Sequence, residues 1–449
     1  MASIAYALQR IKHDPLAVLH PSTIERICRE HHYEWRQREL DPATTVALFL
    51  QQILRGNVPC TEVRHLGGSS FSAQAYCAAR QRLPLRVCND LFSQVCQELL
   101  PQTQHERHLY RGHRVFHVDG SSFSMPDTEE LQKAFGMPTG QKEGCGFPVA
   151  HLLVLFSAQT GLLLDAWASP LYTGDLAQIP EAHGHLHKGD ILIGDDAFGT
   201  YVHLALLLRE NLHGLFPVHH SRIVSFTKGR PYHVAGSAPR PGWPTSRWIK
   251  SLGKEDQLVE YFQPPLKPLW MSQAEYDTLP PSIVVRELRR TVCRAGLGKV
   301  TVTIVTTLLD PQRYPAEELL DLRLRRWDVE TNLGHLKTTM KMDVLHCKTE
   351  AGVRKELAMF CLVYNLVRAL MLEGAFRQQV PVSRISFADT LQWMRHARPG
   401  ETMPPLVVVP WRPNRVEPRC KKRRPKQYDL MNKPRQVLRN HLKKQRKNA

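Results

Sequence analysis

Arg114-Val-Phe-His-Val-Asp119-Gly120 is the first stretch of the chain with β character, and it ends on a carboxylate. What precedes it, residues 1–105, reads as helix. Asp41-Pro42 offers an N-cap followed by proline at the first helical position, where a missing N–H costs nothing. Val46, Leu48, Phe49 and Ile53 then recur at helical spacing. Leu66-Gly-Gly-Ser-Ser70 is a turn. Ser72 is placed to cap a helix carrying Tyr76, Arg80 and Arg82, and a further helix after Pro84 sets Val87, Leu91, Val95 and Leu99 on one face. A helix, a glycine turn and a helix with arginines suit docking on DNA, and equally suit a plain helical bundle.

Downstream, Val149 to Phe156 and Leu162 to Ala168 form two strand-like runs joined by Ser157-Ala-Gln-Thr-Gly161, a hairpin pattern. A helical stretch precedes His187. Asp190-Ile-Leu-Ile193 is a buried-type strand running into Gly194-Asp195-Asp196. Val202 to Arg209 continues as helix and Gly214 to Val218 as strand. From Arg222 to Leu309 the composition shifts to Pro, Gly, Trp and β-branched runs such as Lys299-Val-Thr-Val-Thr-Ile-Val305, a β-rich insertion. Helices resume at Pro315 and continue to about Gly374. This succession is that of an α/β, ribonuclease H-like domain. The expected division is a helical N-terminal domain (1–105) in probable contact with DNA, a first catalytic part (106–221), the insertion (222–309), a second catalytic part (310–375) and a C-terminal region (376–449) ending in a basic tail.

A chain of 449 residues exceeds what one hydrophobic core usually organises. Its net charge of +18 favours polyanionic partners, nucleic acid first. From Arg412 to the end, fifteen Lys and Arg face Glu417 and Asp429, so most of the surplus lies in the tail. That tail reads as an extended segment adding non-specific DNA affinity, or as a solvated solubility tail. No run of eighteen apolar residues marks a membrane span, and Met1-Ala-Ser-Ile-Ala-Tyr lacks a signal-peptide pattern. The ten cysteines show no C-x-x-C spacing and read as reduced thiols. A cytoplasmic, nucleoid-associated protein is expected. His183, His185 and His187 alternate, which fits a polar loop better than a metal site.

Asp119 and Asp195 both fall at strand ends, where active sites collect in open α/β sheets, although either alone also reads as a turn cap. The third acid is Glu330. On a straight helix at about 100° per residue, Arg323, Arg326, Lys337 and Lys341 fall within about 40° of it. Leu322, Val329, Leu333, Leu336 and Met340 form the neighbouring apolar stripe. A surface Arg326–Glu330 pair, worth a few tenths of a kcal/mol, accounts for two of these five polar residues. A phosphate-gripping stripe beside a metal-binding carboxylate accounts for all five. Phosphodiester chemistry suits such a set, because two Mg²⁺ ions about 3.5–4 Å apart stabilise both the attacking and the leaving oxygen.

The segment Leu324-Arg-Arg-Trp-Asp-Val-Glu-Thr-Asn-Leu-Gly-His-Leu-Lys337 resembles the YREK signature (Y-x2-R-x3-E-x6-K) of IS-four family insertion-sequence transposases. Arg326, Glu330 and Lys337 match its R, E and K, while Arg323 stands at its tyrosine. Asp195-Asp-Ala-Phe-Gly-Thr-Tyr201 is similar to the family's D-R-x-F block, with Asp196 in place of the arginine. Val118-Asp119-Gly-Ser fits the block of the first Asp, and Ala75-Tyr-Cys-Ala-Ala-Arg80 resembles an N-terminal block. The resemblance implies a DNA transposase with Asp119, Asp195 and Glu330 as a triad holding two Mg²⁺ ions, Mn²⁺ able to substitute. Either Asp195 or Asp196 remains open as the second ligand, with alignment favouring Asp195. Arg326 and Lys337, with Arg323 as a further donor, would grip the phosphates of transposon-end DNA, and the same site would join the freed 3′-hydroxyl to target DNA. A homodimer or larger synaptic complex is implied. A ribonuclease H-like nuclease without strand transfer and an inactive transposase-derived DNA-binding protein are the rival readings. Trp243, Trp248 and Trp270 in the insertion either pack it or stack on a flipped base.

Overall fold

The computed structural model describes residues 4, 8, 15–66, 70–101, 109–140, 142, 144–233, 241–294, 298–398, 401–410, 431 and 433–447. Val115, Phe116, His117 and Val118 are all buried, because the strand they open is covered on both faces. This strand, β1 (Val115–Ser124), pairs antiparallel with β2 (Val149–Ser157), and β2 pairs antiparallel with β3 (Leu163–Pro170). On its other edge β1 runs parallel to β4 (Ile191–Ile193), and β4 parallel to β5 (His213–Pro217).

The β-rich stretch after residue 222 does not form a sheet of its own. It supplies β6 (Arg247–Gly253), β7 (Asp256–Phe262), β8 (Ser282–Arg294) and β9 (Gly298–Thr306), and β9 docks antiparallel on β5 through Leu215↔Thr306, Phe216↔Val305 and Pro217↔Ile304. One sheet of order β3-β2-β1-β4-β5-β9-β8-β7-β6 results. The backbone edge that β5 would otherwise expose is thereby satisfied. The chain is thus a mixed α/β protein with one large sheet.

Alternation along β1 sends Phe116 and Val118 to one face, where they pack with Tyr201, Leu204 and Ala205 of a helix at Tyr201–Arg209. Val115 and Phe123 face the opposite side. There Val115 joins Leu319 and Leu322 of one helix, and Phe123 joins a large cluster centred on a 29-residue helix at Glu350–Gln378. That long helix is apolar enough to cross a membrane by length and composition, although no run of eighteen apolar residues is visible in it. It is 94% buried over its most apolar window and serves as the core.

The N-terminal helices share this core rather than standing apart. They include α1 (Pro21–Glu30), α2 (Pro42–Leu54), α3 (Cys60–Leu66), α4 (Ala73–Arg82) and α5 (Leu85–Leu99). Asp41 caps α2 by accepting from the Thr44 amide at 2.7 Å, and Ser72 caps α4 through the Ala75 amide at 3.1 Å, as the sequence predicts. Ile24, Phe49, Leu91 and Val95 lie in one cluster with Leu362 and Phe156. Arg80, expected on a helix open to DNA, is instead inside: its guanidinium lies 3.7 Å from the Phe49 ring centroid and donates to Gln52 Oε1 at 2.8 Å.

Two further expectations are corrected. The helix through Glu330 is not continuous: after α6 (Glu129–Phe135), α7 (Ile179–His183), α8 (Tyr201–Arg209) and α9 (Gln273–Asp277), it is built from α10 (Ala316–Leu324), α11 (Trp327–Gly334) and a π-helical turn at His335–Thr339. The core helix α12 (Glu350–Gln378) and α13 (Phe387–His396) follow. The tail expected to be extended after Pro410 folds at its end into a basic helix, α14 (Arg435–Lys447). Residues 411–430 lie outside the described residues.

Candidate active site

The parallel strands β1, β4 and β5 run the same way; Asp119 does not end its strand as expected, because pairing with β2 carries β1 on to Ser124, whereas Asp195 does follow the end of β4. Asp119 lies within β1 on the face turned toward α11, with its side chain 14% exposed. Asp195 follows β4 after Gly194, whose missing Cβ lets the backbone pass between neighbours: a Cβ there would stand 3.1 Å from a Val118 methyl carbon and closer still to the Phe198 ring. Asp195 then caps a short 3-10 turn (Asp196–Phe198), accepting from the Ala197 amide at 3.0 Å. Asp196 turns outward to His220 beyond β5, with its Oδ2 3.1 Å from His220 Nδ1. The two adjacent aspartates therefore face different surroundings, and Asp195 is the one turned toward Asp119.

Arg326 joins the first acid to the third. Its Nη2 donates to Glu330 Oε1 at 2.8 Å, and its Nη1 lies 3.5 Å from Asp119 Oδ2. It sits in the break between α10 and α11 with its side chain 16% exposed. Lys337 also reaches β1, donating from Nζ to Ser121 Oγ at 2.9 Å. It does so from the π-helical turn, whose wider winding re-aims the side chain relative to an α-helix. Arg323 ends α10, on a different helix from Glu330, and its charge bears on His117. Lys341 leaves the stripe: its φ of +67° ends the helical run, and its side chain lies over Gly56.

Burial is the main influence on the acids of this cleft. Burial pushes the Asp119 carboxyl up to about 6; Arg326 opposes the rise, while Asp195, Asp175 and Glu330 add to it. Asp195 is raised by burial and by the charges of Asp175 and Asp196, against the Ala197 amide bond and Arg326. Burial lowers the Lys337 ammonium and Asp343 partly restores it. His117, two residues before Asp119, is pushed down to about 3 by burial and by Arg323, Arg326 and Arg325, so its ring is neutral.

Asp175 is the acid that the sequence does not announce. It opens a 3-10 turn after β3, accepts from His151 Nε2 at 2.6 Å, and approaches β1 from the face opposite Asp119. Gly120 makes room for it, since a Cβ at that position would stand 2.8 Å from Asp175 Cγ. His151 reaches this place because it lies opposite Ser122 in the β1–β2 register. Only that long-range pairing brings the two together, and no local spacing signals it.

Among the described residues, no three His, Cys, Asp or Glu side chains stand close enough to hold a metal ion as placed, because the Arg326 guanidinium lies between Asp119 and Glu330. The donor set nevertheless suits a hard divalent cation: it is all carboxylate oxygen, and a cation would offset both the burial that chiefly raises Asp119 and the added charge of its acidic neighbours. The alternating histidines form no such group. His183 stacks on His203 with Nε2 atoms 3.1 Å apart, and His185 pairs with Asp165. In the insertion region, Trp270 packs against the core cluster of Val259 and Tyr261.

The family model described as the transposase DDE domain matches residues 110–366, more than half of the chain. The chain is 26% identical over 383 residues to the transposase InsG for insertion sequence element IS4 of Escherichia coli (strain K12), covering 81% of this chain and 79% of that protein. It is 31% identical over 108 residues to the putative transposase InsZ of the same organism, covering 23% of this chain and 35% of that one. A piggyBac transposase synaptic complex with hairpin DNA, solved by cryo-EM, superposes with a TM-score of 0.43 at 10% identity, over 85% of this chain and 79% of its own. The DDE-domain match spans β1 through most of α12, and the strand and helix bearing Asp119 and Glu330 lie inside it; the chain belongs to the DDE transposase family and is a DNA transposase of the insertion-sequence kind.

Proposed function

We propose that Asp119, Asp195 and Glu330 are the carboxylates that hold two Mg²⁺ ions in a ribonuclease H-like catalytic domain, assembled from residues 106–221 and 310–375. The carrying observation is the Asp119–Arg326–Glu330 link beside Asp195. The strand order β3-β2-β1-β4-β5, antiparallel at β2 and parallel at β4 and β5, supports the fold assignment. Residues 222–309 then extend the sheet of that domain.

The bound ions would supply charge stabilisation at the attacking and leaving oxygens of a phosphodiester. The protein's part is positioning. Asp119 and Asp195 are fixed by strands, whereas Glu330 sits on a short helix after a break and has room to adjust. Arg326 holds Asp119 and Glu330 in the metal-free chain and turns to a transposon-end phosphate when DNA enters. Lys337 grips a second phosphate from above Ser121, and Arg323 adds a donor at the rim. Both are cations at working pH and act by binding, not as acids or bases. Water cleaves at the element end, and the freed 3′-hydroxyl then attacks target DNA in the same cleft. Two ends held together require a dimer or larger synapse.

The test pairs an end-binding gel shift with a cleavage assay. Glu330→Gln should bind ends and cut nothing at any Mg²⁺ concentration. Arg326→Ala and Lys337→Ala should bind ends at least tenfold more weakly, an expectation of about 1.4 kcal/mol. Normal end binding by Arg326→Ala would show that the arginine is only a salt-bridge partner of Glu330.

A further inference from the structure

Helix α14 is the most one-sidedly charged element of the chain. Arg435, Arg439, Lys443, Lys444, Arg446 and Lys447 stand in thirteen residues without one Asp or Glu. At about 100° per residue, Arg435, Arg439 and Lys443 fall within about 80° of one another, a stripe along one side. Arg439, Lys443 and Lys444 are exposed.

The fold fixes where this helix begins. Arg435 Nη1 lies 3.9 Å from Asp127 Oδ2, its guanidinium lies over the Phe147 ring at 5.1 Å, and Pro434 packs against Gly144. Asp127 follows the end of β1 and Phe147 precedes β2, at the point where Ser124 pairs with Val149. Ser124 also bridges Val344, which follows the turn carrying Lys337. The helix is therefore anchored beside the C-terminal end of β1, the strand that carries Asp119. Five residues of strand separate Asp119 from Ser124, about 17 Å at 3.3–3.4 Å per residue.

We propose that α14 is a second DNA-backbone contact, which holds the duplex about 5–10 base pairs from the bond being cut. That figure is the 17 Å offset plus the length of a thirteen-residue helix, about 20 Å, at 3.4 Å per base pair. Its partner is duplex phosphate. A second copy is disfavoured, because two such helices repel each other and the exposed apolar side chains on α14 are only Val437 and Leu442. The assignment rests on the transposase reading of the cleft.

The experiment uses the full-length double variant Arg439→Gln/Lys443→Gln, changed only at exposed positions of the stripe, on end DNA with long flanks. Removing two phosphate contacts should lower the slope of log K against log salt by about 1.8, so wild-type affinity should fall about 12-fold more than the variant's over a fourfold rise in salt. Hydroxyl-radical protection should disappear 5–10 base pairs from the cut and persist at the cut itself. An unchanged slope with unchanged protection overturns the proposal. So does an unchanged slope with loss of self-association in sedimentation, which makes α14 a contact between copies. Both readouts are binding measurements, so they stand whether or not Glu330→Gln abolishes cleavage.

Discussion

Asp119→Asn should make the metal-free protein more stable at neutral pH while removing cleavage. The carboxyl of Asp119 is raised from 3.8 to about 6 in the folded chain. A raised folded pKa contributes stability that is fully present below the unfolded value and is lost as pH climbs through the folded one. About 1.4 kcal/mol per unit makes the whole loss about 3 kcal/mol in the wild type, of which roughly half falls between pH 5 and pH 8. Asparagine cannot ionise and escapes that loss. The assay is denaturation of the full-length chain in EDTA across pH 5 to 8. The gap between variant and wild type should widen in the variant's favour by about 1.5 kcal/mol over that range. A gap that stays constant, or widens the other way, would refute the claim that burial, with the charge of its acidic neighbours, raises Asp119. Added Mg²⁺ should narrow the gap at pH 8, because only the wild type gains from the ion.

Asp195→Asn should abolish cleavage with end binding retained, while Asp196→Asn, which releases the exposed His220 and removes one charge that raises Asp195, should stay within a few fold of wild type; the opposite pattern would reassign the ligand. Gly120→Ala should destabilise the fold by about 1–3 kcal/mol through overlap with the Asp175 carboxylate. Adding Asp175→Ala should recover most of that stability in the same thermal melt, and a double variant no more stable than Gly120→Ala would show that the overlap is not the cause.

Much of the sheet was legible because its strands carry their own signals. Val149 to Phe156 and Leu162 to Ala168 are apolar runs, broken only by His151 and Asp165, around a Gly turn, and they pair as the hairpin that pattern predicts. Caps were equally local: Asp41 and Ser72 each bond an amide three residues on. Long-range assembly was not local and was not read. Nothing in Lys299 to Val305 says that this strand closes against Leu215 and makes the β-rich stretch part of the main sheet. Nothing in the arginines of α4 says that Arg80 is the one folded inward against Phe49, since an inward and an outward arginine look alike at helical spacing. Asp175 was missed for the same reason, because its partners His151 and Gly120 come from two other strands.

The break in the helix through Glu330 carries the deeper lesson about this site. A straight helix would line up Arg323, Arg326, Glu330, Lys337 and Lys341 in one stripe, and every donor would then face DNA alike. The chain instead bends at Arg325 and Arg326, widens at His335–Thr339 and leaves the helix at Lys341. Three different jobs result from one basic pattern. Arg326 drops into the cleft between two acids, Lys337 turns onto Ser121, and Lys341 lies over Gly56 beside the end of α2. Arg326 in this position acts as an internal cation: it offsets the charge of acids that would otherwise repel one another in a half-buried site. Any divalent ion that binds between Asp119 and Glu330 must displace it. The arginine is then released at the moment when the ion has taken over its electrostatic role, and it is released beside the place where a phosphate must be held. With the ion and the phosphate bound as proposed, Arg326 would couple the two, so removing it should raise the metal requirement's pH sensitivity as well as weaken end binding.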